Sequence, residues 1–227
     1  MTRRGQEGFT LIEVTIALSI LSFMVLTAWS TISGTAATKR KAEAIQARNH
    51  EVRIAMNRLV ADISSAYISS NQTQGIDDPR TLFVGKEGST VDDLKFSSLV
   101  HEPLWANANE SEQTLISYVA EQDPDESSMT NLVRREQRRL ADDDGGKDPP
   151  AEIDILLRDI DDVAFEYWDY KDKEWKTRWD TNAPDSQKSR LPTRVKITVK
   201  VKRGDDTIKY TTQARLMLQE ELRSFAN

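Results

Sequence analysis

Residues 14–38 carry no ionisable side chain, whereas charges are dense along the rest of the chain. A run of about 25 such residues, rich in Ile, Leu, Val, Ala and Met, spans roughly 37 Å as a helix. That exceeds the ~30 Å hydrocarbon core of a bilayer, so the segment is long enough to cross with some tilt. A secretory signal has a shorter apolar core ending at a small-residue cleavage site. Here the run continues through Phe23, Leu26 and Trp29 into further helical pattern, which favours a retained anchor. Beyond Lys41 the pattern becomes one-sided: Ile45, Val52, Met56, Leu59, Ile63 and Tyr67 recur at helical steps. The polar cluster Ser69, Ser70 and Asn71, then Gly75, ends it, so the spacing predicts one helix of about sixty residues.

Short strand-like runs follow at 82–84, 94–99 and 115–120, separated by Pro79, Gly88 and Pro103. Residues 123–150 hold little apolar material, contain RREQRR at 134–139 and then ADDDGGKDPP, and read as a surface excursion with one short strand at Leu132 and Val133. The clearest hairpin is last. Val195, Ile197, Val199 and Val201 alternate with Lys196, Thr198, Lys200 and Lys202; Gly204, Asp205 and Asp206 make the turn; residues 208–218 return. No internal repeat is evident. A long helix with an apolar stripe, followed by strands able to cover it, predicts an α+β fold with a mainly antiparallel sheet.

Composition adds limits. The 227 residues, 38% hydrophobic and 30% charged, suit one folded domain plus an appendage. The net charge is −6, and loss of residues 1–8 would leave 29 basic and 36 acidic side chains. That sign argues against general affinity for nucleic acid or anionic lipid. There is no cysteine, hence no disulfide, thiolate nucleophile or cysteine metal site.

Glu13 is the chemical oddity of the apolar stretch, because a charge at bilayer depth costs on the order of 2.5–3.5 kcal/mol. One explanation is an interfacial position at a helix N-terminus, where the dipole favours an anion. The other comes from its surroundings. Arg3 to Glu13 read RRGQEGFTLIE: a short basic leader, Gly then Phe, and Glu five residues into the chain that follows. This stretch resembles the leader of type IV pilins and type II secretion pseudopilins. The resemblance implies that a prepilin peptidase cuts between Gly8 and Phe9 and methylates the Phe9 amine, and that Glu13 serves assembly by pairing with the Phe9 ammonium of a neighbouring subunit. It also implies a pilin-like fold divided into a leader (1–8), a transmembrane half of the helix (9–33), an amphipathic periplasmic half (34–68) and a periplasmic β-rich domain (69–227). Charge counting leaves the topology open, since Arg3 and Arg4 face Lys39, Arg40 and Lys41 across the span. The resemblance implies a cytoplasmic leader and a body in the periplasm, anchored in the cell inner membrane.

The stretch VAFEYWD at 163–169, with Trp175, Trp179 and Leu191–Pro192 ahead of the alternating strand, is similar to the J-type minor pseudopilins of type II secretion. That implies a structural subunit of the pseudopilus tip complex, which starts filament assembly and helps export folded proteins. Its partners would be other minor pseudopilins, the major pseudopilin, the prepilin peptidase and the inner membrane. An alternative is a minor pilin of a type IV pilus, acting in adhesion, motility or DNA uptake. A more ordinary role for Trp175 and Trp179 is to cover the edge of the domain.

Catalytic and ligand-binding readings are weak. His50 and His101 fall in no metal-ligand spacing, and no HExxH, GxSxG or phosphate-cradling loop occurs. Asp142, Asp143, Asp144 and Asp148 are adjacent rather than alternating, which reads as a solvated acidic loop and not a calcium site. Asp159, Asp161 and Asp162 are a surface cluster of the ordinary kind. Arg194, Lys196, Lys200, Lys202 and Arg203 form a basic strand face that could touch DNA; a solvated face balanced by Asp205 and Asp206 is the simpler reading. The expectation is therefore a non-enzyme with no cofactor, no metal and no nucleic acid.

Overall fold

The computed structural model describes residues 8–69, 81–101, 112–138, 150–183, 186–203 and 206–219. The chain divides into two compact units, residues 1–51 and 52–227. In the first, the described residues are almost wholly helical. The helix is α1, Leu11–Ser64, and its last turns, from Val52, belong to the second unit.

Ten strands complete the second unit: β1 Phe83–Lys86, β2 Asp93–Ser98, β3 Thr114–Gln122, β4 Thr130–Arg138, β5 Glu152–Leu157, β6 Ile160–Asp169, β7 Glu174–Lys176, β8 Trp179–Asp180, β9 Arg194–Arg203 and β10 Asp206–Arg215. They form a six-stranded sheet, β5-β4-β3-β2-β1-β8, and a four-stranded sheet, β10-β9-β6-β7. All paired strands run antiparallel. The architecture is the α+β class expected, a long N-terminal helix followed by antiparallel sheets.

The stripe on α1 explains the packing. Val52, Ala55, Met56, Leu59 and Ile63 are buried in one cluster with Phe83, Phe96, Ile116, Tyr118 and Leu132 of the first sheet and Phe165, Tyr167 and Ile197 of the second. An aromatic series crosses from sheet to sheet. Tyr118 stacks on Phe96 at 6.3 Å, Phe96 meets Phe83 at 5.7 Å, and Phe83 meets Tyr167 edge-on at 5.9 Å. The sheets are also stitched by backbone: Val91 bridges Val163, and the Asp92 carboxylate accepts from the Phe165 amide at 2.8 Å.

The structure corrects several expectations. The helix stops at Ser64, short of position 68, because Ala66 bridges Ser98 and the Tyr67 amide donates to Ser97 O. Strand pairing replaces the helical bonds there, and Tyr67 still fills the end of the stripe. Residues 130–138 are an interior strand of the six-stranded sheet, and β5 follows at its edge, where a surface excursion was expected. Charge hid β4, since Arg135 and Arg138 pair with Glu121 and Glu152 while Arg134 points inward. Trp179 is fully buried, its Nε1 donating to Arg190 O at 2.8 Å, so it is core and not edge cover. Arg203 and Asp206 stand opposite each other in the register, out of step with Lys196, Lys200 and Lys202; the carboxylates that balance the strand are on β6, as Lys196 pairs Glu166 and Lys200 pairs Asp162. The acidic loop at 142–148, the helix-ending Ser70, Asn71 and Gly75, Pro79 and Pro103, and the Gly204–Asp205 turn lie outside the described residues. The final hairpin is found where it is expected, with Val201 opposite Ile208, but Asp206 is the first residue of β10 and not part of the turn.

Gly85 on β1 packs under the Tyr167 ring, where an added Cβ would overlap the hydroxyl. That hydroxyl is buried without a hydrogen-bond partner. Gly85→Ala should therefore destabilise by about 1–3 kcal/mol through overpacking. Tyr167→Phe should be neutral or stabilising, because it removes an unsatisfied polar atom. Thermal unfolding of both variants and of the double variant checks this. Equal losses for Gly85→Ala in the two backgrounds would show that the hydroxyl is not the obstacle.

Candidate functional site

Two places concentrate chemistry. The first is the head of α1. Thr10 caps the helix: the Glu13 amide lies 3.1 Å from Thr10 O and 3.3 Å from its hydroxyl, and the Val14 amide donates to Thr10 O. Thr10 and Glu13 thus occupy the Ncap and N3 positions of a capping box. Among the described residues the Glu13 carboxylate has no ion-pair partner. Around it the helix surface is apolar and open, with Phe9, Leu11 and Ile12 82%, 86% and 67% exposed. Gly8 precedes it, and among the described residues nothing lies close enough to demand a glycine there.

The helix that follows contains a window of mean hydropathy 2.2, long and apolar enough to cross a membrane, and none of it is buried within the chain. Most of its hydroxyls are satisfied internally. Thr15, Ser19, Thr27, Thr31 and Thr35 each donate to a carbonyl on the preceding turn, at 2.8 to 3.1 Å. Such bonding removes the cost of exposing these groups to hydrocarbon.

The second place is the domain end of α1. Asp62 is fully buried and receives the Tyr118 hydroxyl and Arg134 Nε, both at 2.6 Å on Oδ2. Arg58 stands one turn back, its Nε 3.1 Å from Oδ1. Arg134 extends the series with Nη1 2.7 Å from Glu136, whose other oxygen lies 2.9 Å from His101 Nδ1. Burial disfavours the Arg134 cation, but the bonds to Asp62 and Glu136 more than reverse this and raise its pKa. Burial would raise Glu136; the Arg134 bond and charge, helped by His101, outweigh it and hold the carboxyl below its usual range. Burial and the Asp62 charge push the Tyr118 phenol well up. The arrangement fixes the helix end to the middle of the first sheet, and no residue in it is placed as a nucleophile or an acid–base pair around an open space.

Of the residues singled out from sequence, Gly8, Phe9 and Glu13 lie together at the head of α1. His101 belongs to the buried series, while His50 lies on the helix in the first unit. Asp62, Arg134 and Glu136 were not foreseen. A signal was available: Asp62 falls within the apolar stripe beside Leu59 and Ile63, and Arg134 shares a strand face with Leu132.

The capped head, the membrane-length helix and the stripe sheathed in antiparallel strands together define a pilin-like subunit. Comparison with known proteins is more specific. The prokaryotic N-terminal methylation motif matches residues 3–29, and the family described as type II secretion system (T2SS), protein J, matches residues 30–212. The chain belongs to that protein J family and is a minor pseudopilin of the type II secretion system. No curated protein sequence matches. Two solved structures are similar. One is from the GspK–GspI–GspJ complex of enterotoxigenic Escherichia coli, with 19% identity, a TM-score of 0.45, and coverage of 74% of this chain and 97% of that one. The other is a type IV-like pilin from Thermus thermophilus, with 11% identity, a TM-score of 0.39, and coverage of 74% and 94%.

The buried series makes a sharp mutational contrast. Arg134→Met removes the buried cation shared by Asp62 and Glu136, leaving Asp62 only the half-exposed Arg58, and should cost about 3–5 kcal/mol, whereas adding Asp62→Leu should recover part of the loss. Denaturant titration of the chain in detergent measures both. A loss below about 1 kcal/mol for Arg134→Met would place the pair in the class of weak surface bridges.

Proposed function

We propose that the precursor is cut between Gly8 and Phe9 and methylated at Phe9, and that Glu13 then guides the subunit into the filament. Residues 9–33 are the inner-membrane span, 34–68 the periplasmic part of the stem and its exit, and 69–227 the periplasmic domain. The observation that carries this reading is a carboxylate without an ion-pair partner among the described residues, at the head of an exposed, membrane-length helix uncharged from residue 14 to residue 38. In lipid such a group calls for a cation, and the ammonium of another subunit's Phe9 supplies one at the moment of docking. Gly8 adds support, because a glycine that no described residue crowds suits close approach by a peptidase.

The subunit joins other minor pseudopilins in a complex that starts the pseudopilus, with the major pseudopilin added behind it. This fits the complex named for the similar Escherichia coli structure. The role is structural and not enzymatic.

Mass spectrometry of the chain from a host with active prepilin peptidase should find a terminus at methylated Phe9; an intact Met1 would overturn the processing. In the same host Glu13→Gln should be inserted and cut as usual yet crosslink less to pilin-like subunits in membranes. Undiminished crosslinking would return Glu13 to the role of an interfacial helix-capping residue.

A further inference from the structure

The outward face of the four-stranded sheet departs from the charge of the chain. On β9 and β10 the side chains that alternate with the buried Val195, Ile197, Val199 and Val201 include Arg194, Lys196, Lys200, Lys202, Lys209 and Arg215. Asp161, Asp162 and Glu166 on β6 are the carboxylates set against them. Two of the cations are neutralised across the sheet, Lys196 by Glu166 at 2.7 Å and Lys200 by Asp162 at 2.9 Å. Lys202, Lys209 and Arg215 are exposed and have no ion-pair partner among the described residues. A protein of net charge −6 thus presents one face with an excess of positive charge.

The register makes the excess costly. Lys209 stands directly opposite Lys200, and Arg215 directly opposite Arg194. Like charges facing each other across an antiparallel pair destabilise it. The intervening rows show that neutral residues fit, with Thr211 opposite Thr198 and Gln213 opposite Lys196. At the Arg194 end lies an aromatic pair: Trp168 meets Trp175 at 5.3 Å, the Arg194 guanidinium covers Trp168 at 5.7 Å, and the Lys196 ammonium covers Trp175 at 4.8 Å. Half-buried Trp beside Arg is the composition typical of the centre of a protein interface.

We infer that this face docks an acidic protein surface of another subunit in the secretion complex, with Trp168 and Arg194 as its anchor. The Lys200–Lys209 and Arg194–Arg215 rows are six residues apart on β9, about 20 Å along the strand. The partner therefore carries two carboxylate groups at that separation. Asp162 and Glu166 lie in the same rows as the cations and would repel the phosphates of nucleic acid or lipid, whereas a protein surface of mixed sign fits the alternation. The inference rests on the reading that the chain works among pilin-like subunits, but it does not depend on how Glu13 pairs in the membrane.

The test uses the full chain in membranes of secreting cells, with a benzophenone photocrosslinker in place of Thr211. The expected product is an adduct to another secretion subunit, mapped by mass spectrometry to a segment rich in Asp or Glu. Lys209→Glu with Arg215→Glu should lower the adduct yield by about tenfold. The same pair should leave Tm equal or raised, because two like-charge contacts are relieved. Phe9 processing and the Glu13-dependent crosslinks should persist, which separates failure here from failure of the assembly reading. Charge reversal of the mapped partner carboxylates should restore the adduct. Lys209→Gln with Arg215→Gln serves as the milder variant if the reversal does not fold. An unchanged yield in the folded variant, or adducts to lipid or nucleic acid alone, would overturn the inference.

Discussion

The buried contact between Asp62 and Arg134 is the constraint on which the domain is arranged. A carboxylate inside the apolar stripe of a helix calls for cations within reach; Arg58 meets one oxygen from the same helix, and Arg134 meets the other from within the core, from the middle of β4. Satisfying both groups sets the position of the strand. The Tyr118 hydroxyl must also arrive at the same oxygen, which fixes β3 beside it, and Glu136 with His101 closes the far side. Apolar burial alone would let a sheet slide along the stripe. The charged contacts specify one placement, the best-attested service of a buried ion pair whose net stabilisation is small.

That placement lets one helix do two jobs. From Val52 onward its stripe belongs to the domain core; from residue 14 to residue 35 its side chains form an uncharged surface that no other described residue covers. The first surface is finished by this polypeptide; on the proposed reading the second is finished by lipid and by other subunits. The cationic face of the smaller sheet is unfinished in the same sense, since its like-charge rows are costly until something acidic covers them. In this subunit the stable core and the unsatisfied surfaces occupy separate stretches of α1 and opposite faces of β9 and β10. Docking can therefore use the surfaces without loosening the fold.

How much of this was legible in the sequence depends on the kind of signal. The helix, its stripe and the last hairpin follow from periods of 3.6 and 2 sustained over many residues. The leader is a dense motif, and its resemblance pointed to the class before any fold was known. Residues 130–138 defeated the same reasoning because composition was read as exposure. Arg134, Arg135 and Arg138 look solvated until their partners Asp62, Glu121 and Glu152 are known, and Asp62 is 72 residues from Arg134 in the chain. Helix termination was misplaced for a related reason. Ser65 to Tyr67 carry no breaker; it is strand pairing with residues 97–99 that ends the helix.

Hydrogen exchange read residue by residue on the whole chain in micelles tests the central claim most directly. If the stripe and the Asp62–Arg134 contact make the end of α1 integral to the core, amides 55–64 will exchange only with global unfolding, at the same free energy as those of β3 and β4. In Arg134→Met the two sets should fall together. Exchange of 55–64 through a local opening, while β3 and β4 stay protected, would contradict the account, for the helix end would then be a docked appendage and not a founding part of the domain.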